Sequence, residues 1–139
     1  MKSTETLAKE LRKAFQIEGF LTENRDEFIN KSLKEHLEKL LAQKGISKAD
    51  VIKNADIDRC YGYQIFSGNK NPSRDKMLAL SFGFGLNLDE TQRLLKIAET
   101  GELYPRVKRD SIIMFCINKQ MPLIETNLLL DEFSEYPIA

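Results

Sequence analysis

Between Ser32 and Pro72 the chain carries a helix start or stop every few residues, which leaves little freedom in how this stretch can fold. Ser32 precedes "LKEHLEKLLAQKG", where its hydroxyl can accept from the backbone N–H of Glu35 and the Glu35 side chain can return the bond, a capping box. Leu33, Leu37, Leu40 and Leu41 share one face of the resulting helix, and Gly45 is placed to stop it. Ser47 caps a second, short helix, "KADVIKNA", after which "DID" turns the chain. A third helix, "RCYGYQIFSG", takes Asp58 as its cap and ends at Gly68, and Pro72 separates this unit from the remainder of the chain. No stretch sustains the period-two alternation of a strand. The expectation is an all-α fold.

A capped helix, a serine-capped short helix, a tight turn and a second short helix closing on Gly-x-x-x-Pro is the plan of a helix-turn-helix. The stretch "ISKADVIKNADIDRCYGYQIFSGNKNPS" resembles the lambda-repressor-like, Xre-type DNA-binding domains, and the likeness runs from about Leu33 to Leu88, some two-fifths of the chain. The longer string "YGYQIFSG…PSRDK…LAL…ETQRLL" is also similar to a group of small helix-turn-helix proteins from Gram-positive bacteria. The resemblance implies a lambda-repressor-like bundle in which residues 59–67 form the recognition helix. Three positions depart from the family pattern. Ile52 stands where a small residue is usual, Gly62 where a β-branched one is usual, and Asp56 where glycine is usual. Aspartate tolerates left-handed backbone better than most residues. The other two departures are expected to compensate, a larger Ile52 filling the space that Gly62 vacates. The alternative is that Gly62 merely loosens its helix, at about 1 kcal/mol relative to alanine.

At about 100° per residue, Arg59, Cys60, Tyr63, Gln64 and Ser67 fall in one stripe of the third helix. Tyr61, Gly62 and Ile65 fall opposite, with Phe66 at the edge. Arginine, glutamine, tyrosine and serine hydrogen-bond base edges or phosphates; glutamine pairs at two points with adenine, and arginine with guanine. Asn69, Lys70, Asn71 and Arg74, just past the helix, suit backbone phosphates. Ser47 and Lys48 open the preceding helix, where its N-terminus would help them hold another phosphate. Asp56 and Asp58 count against DNA because a carboxylate near phosphate is repelled, although Asp58 is equally a helix cap. A plain solvated polar face is the alternative for the whole set.

Charge supports the same segment. Lysine plus arginine and aspartate plus glutamate are equal at 21 each, but they are unevenly placed. Residues 1–30 hold five basic and six acidic side chains, residues 31–76 hold ten and six, and residues 77–139 hold six and nine. The positive excess sits around the third helix, which permits a nucleic-acid surface without establishing one.

Other function classes find less support. A chain of 139 residues that is 42% hydrophobic can bury one good core and is too short for two large domains. No apolar run approaches the roughly 18 residues of a membrane span. The opening "MKSTETLAKELRKAF" mixes both charge signs at helical spacing and does not read as a signal peptide. Cys60 and Cys116 are too few and too far apart for a zinc cluster. The expectation is a cytoplasmic protein with reduced thiols, no metal and no cofactor. His36, the one histidine, sits among charged residues and is expected to face solvent. No serine or cysteine has a sequence-level base partner, and "GFG" at 83–85 is a helix end rather than a phosphate loop, so an enzyme is not expected.

The second half repeats itself at an offset of 35. Arg74-Asp75 matches Arg109-Asp110, Leu88 matches Leu123, Glu90-Thr91 matches Glu125-Thr126, and Leu94-Leu95 matches Leu129-Leu130. "LYP" at 103–105 and "EYP" at 135–137 punctuate the ends at a spacing of 32. Each unit reads as a helix pair, 74–84 with 89–99 and 108–119 with 123–133. Two copies are fewer than repeat arrays need, so they are read as consecutive α-hairpins. Ahead of them, a first helix over 4–17, a break near Gly19 and a short helix in "ENRDEFIN" are expected.

The organisation expected is therefore an N-terminal helical extension (1–30), a helix-turn-helix domain (31–88) and a helical hairpin region (89–139), the latter two packed as one compact unit. "SIIMFCI" is apolar nearly all round, which suits either a central helix or half of a subunit interface. A homodimer through residues 108–133 suits the motif, because two recognition helices one DNA turn apart read a pseudo-palindrome. The function expected is a sequence-specific regulator of transcription that binds duplex DNA. The alternative keeps the scaffold as an adaptor that binds a protein partner.

Overall fold

The computed structural model describes residues 2–13, 17, 19 and 32–139. In chain order the helices are α1 (Thr4–Lys13), α2 (Leu33–Lys44), α3 (Lys48–Asn54), α4 (Arg59–Ser67), α5 (Arg74–Phe84), α6 (Leu88–Ile97), α7 (Lys108–Asn118) and α8 (Leu123–Glu132). No strand occurs among the described residues, so the fold is all-α. None of those helices is long and apolar enough to cross a membrane. The chain divides into Met1–Asn30 and Lys31–Ala139. In the first unit, α1 buries none of its residues. Gly19, where a break was expected, is itself helical, and "ENRDEFIN" lies outside the described residues.

The larger unit begins its helices where the side chains dictate. Ser32 accepts from the Glu35 N–H at 3.2 Å, Ser47 from Asp50 at 3.1 Å, Asp58 from Tyr61 at 3.1 Å and Ser73 from Lys76 at 3.3 Å. Each satisfies a backbone donor that a helix start would otherwise leave bare. At Ser32 only the serine half of the predicted capping box is formed; the complete box is at Asn87 and Glu90, with bonds of 2.8 and 3.0 Å. Gly45 and Gly68 close α2 and α4 in left-handed conformation, at φ of 61° and 85°. Asp56 turns the chain between α3 and α4 at φ 52°, the geometry its side chain was expected to tolerate.

Leu37 and Leu40 of α2, Val51 and Ile52 of α3, Ile65 and Phe66 of α4, and Met77, Leu78 and Leu80 of α5 form one buried cluster, continuous with Leu94, Leu95, Ile113 and Leu130. Each such side chain contributes about 1.5–3 kcal/mol by leaving water. Helix α5 approaches α3 to backbone contact: a Cβ on Gly83 would stand 2.5 Å from the Val51 carbonyl oxygen. His36 does not face solvent. It is buried, because it lies three residues after Leu33 and four before Leu40, and the core-facing stripe of α2 widens to include it.

The 35-residue repeat is structural. Helices α5–α6 and α7–α8 form two hairpins whose Arg-Asp dipeptides exchange partners. Arg74 pairs with Asp110 at 2.5 Å, and Arg109 grips both oxygens of Asp75 at 3.1 and 3.0 Å. The Gln92 amide bonds both backbone groups of Leu103 (2.9 and 2.7 Å), and Asn127, 35 residues on, does the same to Ile138 (3.2 and 2.8 Å). The equivalent ends are therefore Leu103 and Ile138. The "LYP" and "EYP" strings, three residues out of register, are not counterparts. In α7, Ile113, Cys116 and Ile117 are buried, while Phe115 is 48% exposed under the Lys119 ammonium, 5.8 Å from the ring centre. Exposed Ile124 and Leu128 belong to α8.

Candidate nucleic-acid interface

Helix α4 is built to hold one face outward. Its inner face is Gly62, Ile65 and Phe66, all buried, with Tyr61 half-buried. A Cβ placed on Gly62 would lie 2.7–2.8 Å from Cγ1, Cδ1 and Cγ2 of Ile52, so the two positions do share one space. This interlock, together with the Asp58 cap, fixes the rotation of α4 about its own axis. At its far end the Asn69 N–H bonds back to the Gln64 carbonyl (3.0 Å) and the Gly68 N–H to that of Ile65 (3.1 Å), which closes the last turn.

Arg59, Cys60, Tyr63, Gln64 and Ser67 are all exposed, on the face the helical period assigns them. The Arg59 guanidinium lies 5.9 Å from the centre of the Tyr63 ring, which orients both side chains. The Ser67 hydroxyl donates to the Gln64 carbonyl at 3.0 Å, leaving its oxygen free to accept. Asn69, Lys70 and Asn71 continue the exposed surface past Gly68. A chemist would find here a guanidinium, a carboxamide, a phenol and an ammonium along one ridge, enough to satisfy the acceptors and donors of a base edge and a phosphate.

Three candidates behave differently. Ser47 spends its hydroxyl oxygen on the α3 cap. Lys48 pairs with Glu38 at 3.1 Å across exposed surface and rests 5.9 Å from the Phe66 ring centre, so a phosphate would have to compete with Glu38 for it. Arg74 is turned away from this surface: its guanidinium bonds buried Asp110 and, at 3.5 Å, the Glu102 carbonyl. Asp110 is nearly enclosed and needs that counter-charge, which removes Arg74 from the expected phosphate contacts. Asp56 and Asp58 remain exposed at the start of α4.

One basic residue outside the predicted set borders the ridge. Lys34, in the first turn of α2, lies against Gly68, its Cβ and Cδ 3.8 Å from where a Gly68 Cβ would stand. Lys76 sits 5.8 Å from the ring centre of Tyr61, which belongs to the opposite side of α4, so it is not part of the ridge. Nothing in the spacing of residues 34 and 68 announces that they meet; only the packing of α2 on α4 brings them together. Comparison with protein-family models, with curated proteins and with solved structures finds no match for the chain.

Proposed function

We propose that this is a cytoplasmic, sequence-specific DNA-binding regulator of transcription, in which α3 and α4 act as a helix-turn-helix and α4 enters the major groove. The observation that carries this reading is the unobstructed ridge of Arg59, Tyr63, Gln64 and Ser67, fixed in rotation by the contact between Ile52 and the Gly62 backbone. A helix presented to base edges must hold its side chains to one register, and this one is locked at both ends. Lys70 and Lys34 supply the phosphate-seeking charge. The regulator works as a two-fold dimer through the open face of α7–α8, where Phe115, Ile124 and Leu128 are 48%, 72% and 67% exposed.

The test is selection of duplexes from a random pool, followed by fluorescence titration. Arg59→Ala or Gln64→Ala should cost about 1–3 kcal/mol on the selected site and relax base preference. Lys70→Ala should weaken all duplexes alike and lower the salt slope by about one unit. A pool that enriches no sequence, with equal binding by all variants, rejects the reading. A second reading, an adaptor that binds protein through the same ridge, is favoured by the diversion of Arg74, the pairing of Lys48 and the exposed Asp56 and Asp58. Duplex binding that is absent even at low salt would select it.

A further inference from the structure

At the end of the hairpins away from the exchanged Arg-Asp pairs, the α5–α6 and α7–α8 turns face each other across a cleft of about 350 Å³. A smaller hollow of about 130 Å³ continues it. Phe82 and Leu86 from the first hairpin oppose Ile117 and Met121 from the second, and these four are repeat-equivalent pairs, 35 residues apart. Ser81 and Gln120 add the polar groups. Among the described residues no charged side chain lines either hollow.

The two facing turns differ at the residue that takes the left-handed conformation. Gly85 holds a left-handed conformation at φ 72°, which costs glycine nothing, and its counterpart Gln120 holds the same conformation at φ 57°. A side chain there is strained, and the first hairpin shows that glycine would serve the turn equally well. Gln120 lines the cleft at its exposed rim and carries a carboxamide that glycine lacks. The Ser81 hydroxyl is buried and already donates to the Met77 carbonyl at 3.0 Å, so the polar group left for an occupant is the Gln120 amide, which can both donate and accept.

We infer that this cleft is a binding site for a small neutral molecule with an apolar body and one amide-like edge. The volume lies in the range of ligand pockets, about 300–1,000 Å³. An ionised ligand would lose its water with no counter-charge to replace it, whereas a carboxamide can exchange its hydrogen bonds with Gln120 and rest its body on Leu86, Ile117 and Met121. Occupancy of the cleft does not depend on what α4 binds.

The experiment uses the intact protein labelled with ¹⁵N and three probes of similar shape: benzamide, benzoate and toluene. Benzamide should shift the amide signals of Ser81, Gly85 and Gln120 saturably, with a dissociation constant on the order of 1 mM for so small a probe. Benzoate should bind about fivefold more weakly or worse, for want of a counter-charge. Gln120→Gly should raise the melting temperature by relieving the strained backbone and at the same time abolish the preference for benzamide over toluene. Met121→Trp, which fills the cleft while leaving the helices in place by circular dichroism, should weaken benzamide and toluene alike. The inference is overturned if no probe gives saturable shifts at the cleft, if benzoate matches benzamide, or if Gln120→Gly keeps the wild-type preference.

Discussion

Adding one methyl group at residue 62 should change its sign of effect with the identity of residue 52. In the native chain the Cβ of Gly62→Ala would come within 2.7–2.8 Å of three Ile52 carbons, where ordinary carbon contacts lie at about 3.5–4.0 Å. Turning Ile52 about χ1 does not relieve this, because a β-branched side chain keeps two of its three staggered positions filled, and both of its branches already touch. Ile52 is 3% exposed and has nowhere to retreat. Overpacking of this kind costs about 1–3 kcal/mol, offset by the roughly 1 kcal/mol that alanine gains over glycine inside a helix. The net effect of Gly62→Ala should be a loss of up to about 2 kcal/mol. Ile52→Ala alone should cost about 2–5 kcal/mol as a cavity mutation. With the three Ile52 carbons gone, the same Gly62→Ala change meets no obstacle and should stabilise by about 1 kcal/mol. The coupling in the double-mutant cycle is then on the order of 1–3 kcal/mol. Urea unfolding followed by far-UV circular dichroism measures all four proteins, provided the slopes agree. If Gly62→Ala stabilises the wild type as much as it stabilises Ile52→Ala, the two positions do not compete for space.

Arg74→Met should cost about 3–5 kcal/mol, since it leaves the enclosed Asp110 carboxylate with the Tyr104 N–H (2.9 Å) and no counter-charge. Adding Asp110→Leu should recover most of the loss, and a double variant as unstable as the single one in thermal unfolding would show that the pair is not the cause. The Asn87 N–H, with Lys44 beside it, holds the Glu90 carboxyl below its ordinary value of 4.5. A depressed pKa stabilises above the unfolded value and loses that contribution as pH falls, so the stability gap between wild type and Glu90→Gln should be constant at neutral pH and shrink below about pH 4.5; a gap that widens on acidification refutes it. Exposed Cys60 should react with a disulfide reagent at once, whereas Cys116, buried and with its thiol pushed up by burial, should react only on unfolding. Two fast thiols per native chain would contradict that placement.

Local grammar was legible in the sequence wherever a residue acts on its immediate neighbours. Ser47, Asp58, Gly45 and Gly68 mark the helix ends they were expected to mark, because caps and left-handed stops are decided within four residues. The outward stripe of α4 followed from the helical period alone. Features that depend on distant packing were harder to read. His36 looked solvated beside its charged neighbours, and only the burial of α2 against later helices reverses that. Arg74 looked like a phosphate ligand because its partner lies 36 residues away. A signal for that partner did exist: two Arg-Asp dipeptides at equivalent helix starts can satisfy each other only by exchange, once the hairpins are known to face one another. The uniform apolar run in α7 could not say which side stayed open, and the structure separates buried Ile113 from exposed Phe115.

The exchange of charges between the hairpins bears on how assembly is measured. Residue 74 meets residue 110 and residue 109 meets residue 75, the reciprocity that defines a two-fold contact between identical subunits. Here both halves of that contact lie on one chain, so forming it costs no translational freedom and its strength does not vary with dilution. Any dependence of the melting temperature on protein concentration must therefore come from another surface, and Phe115, Ile124 and Leu128 are where to look for it.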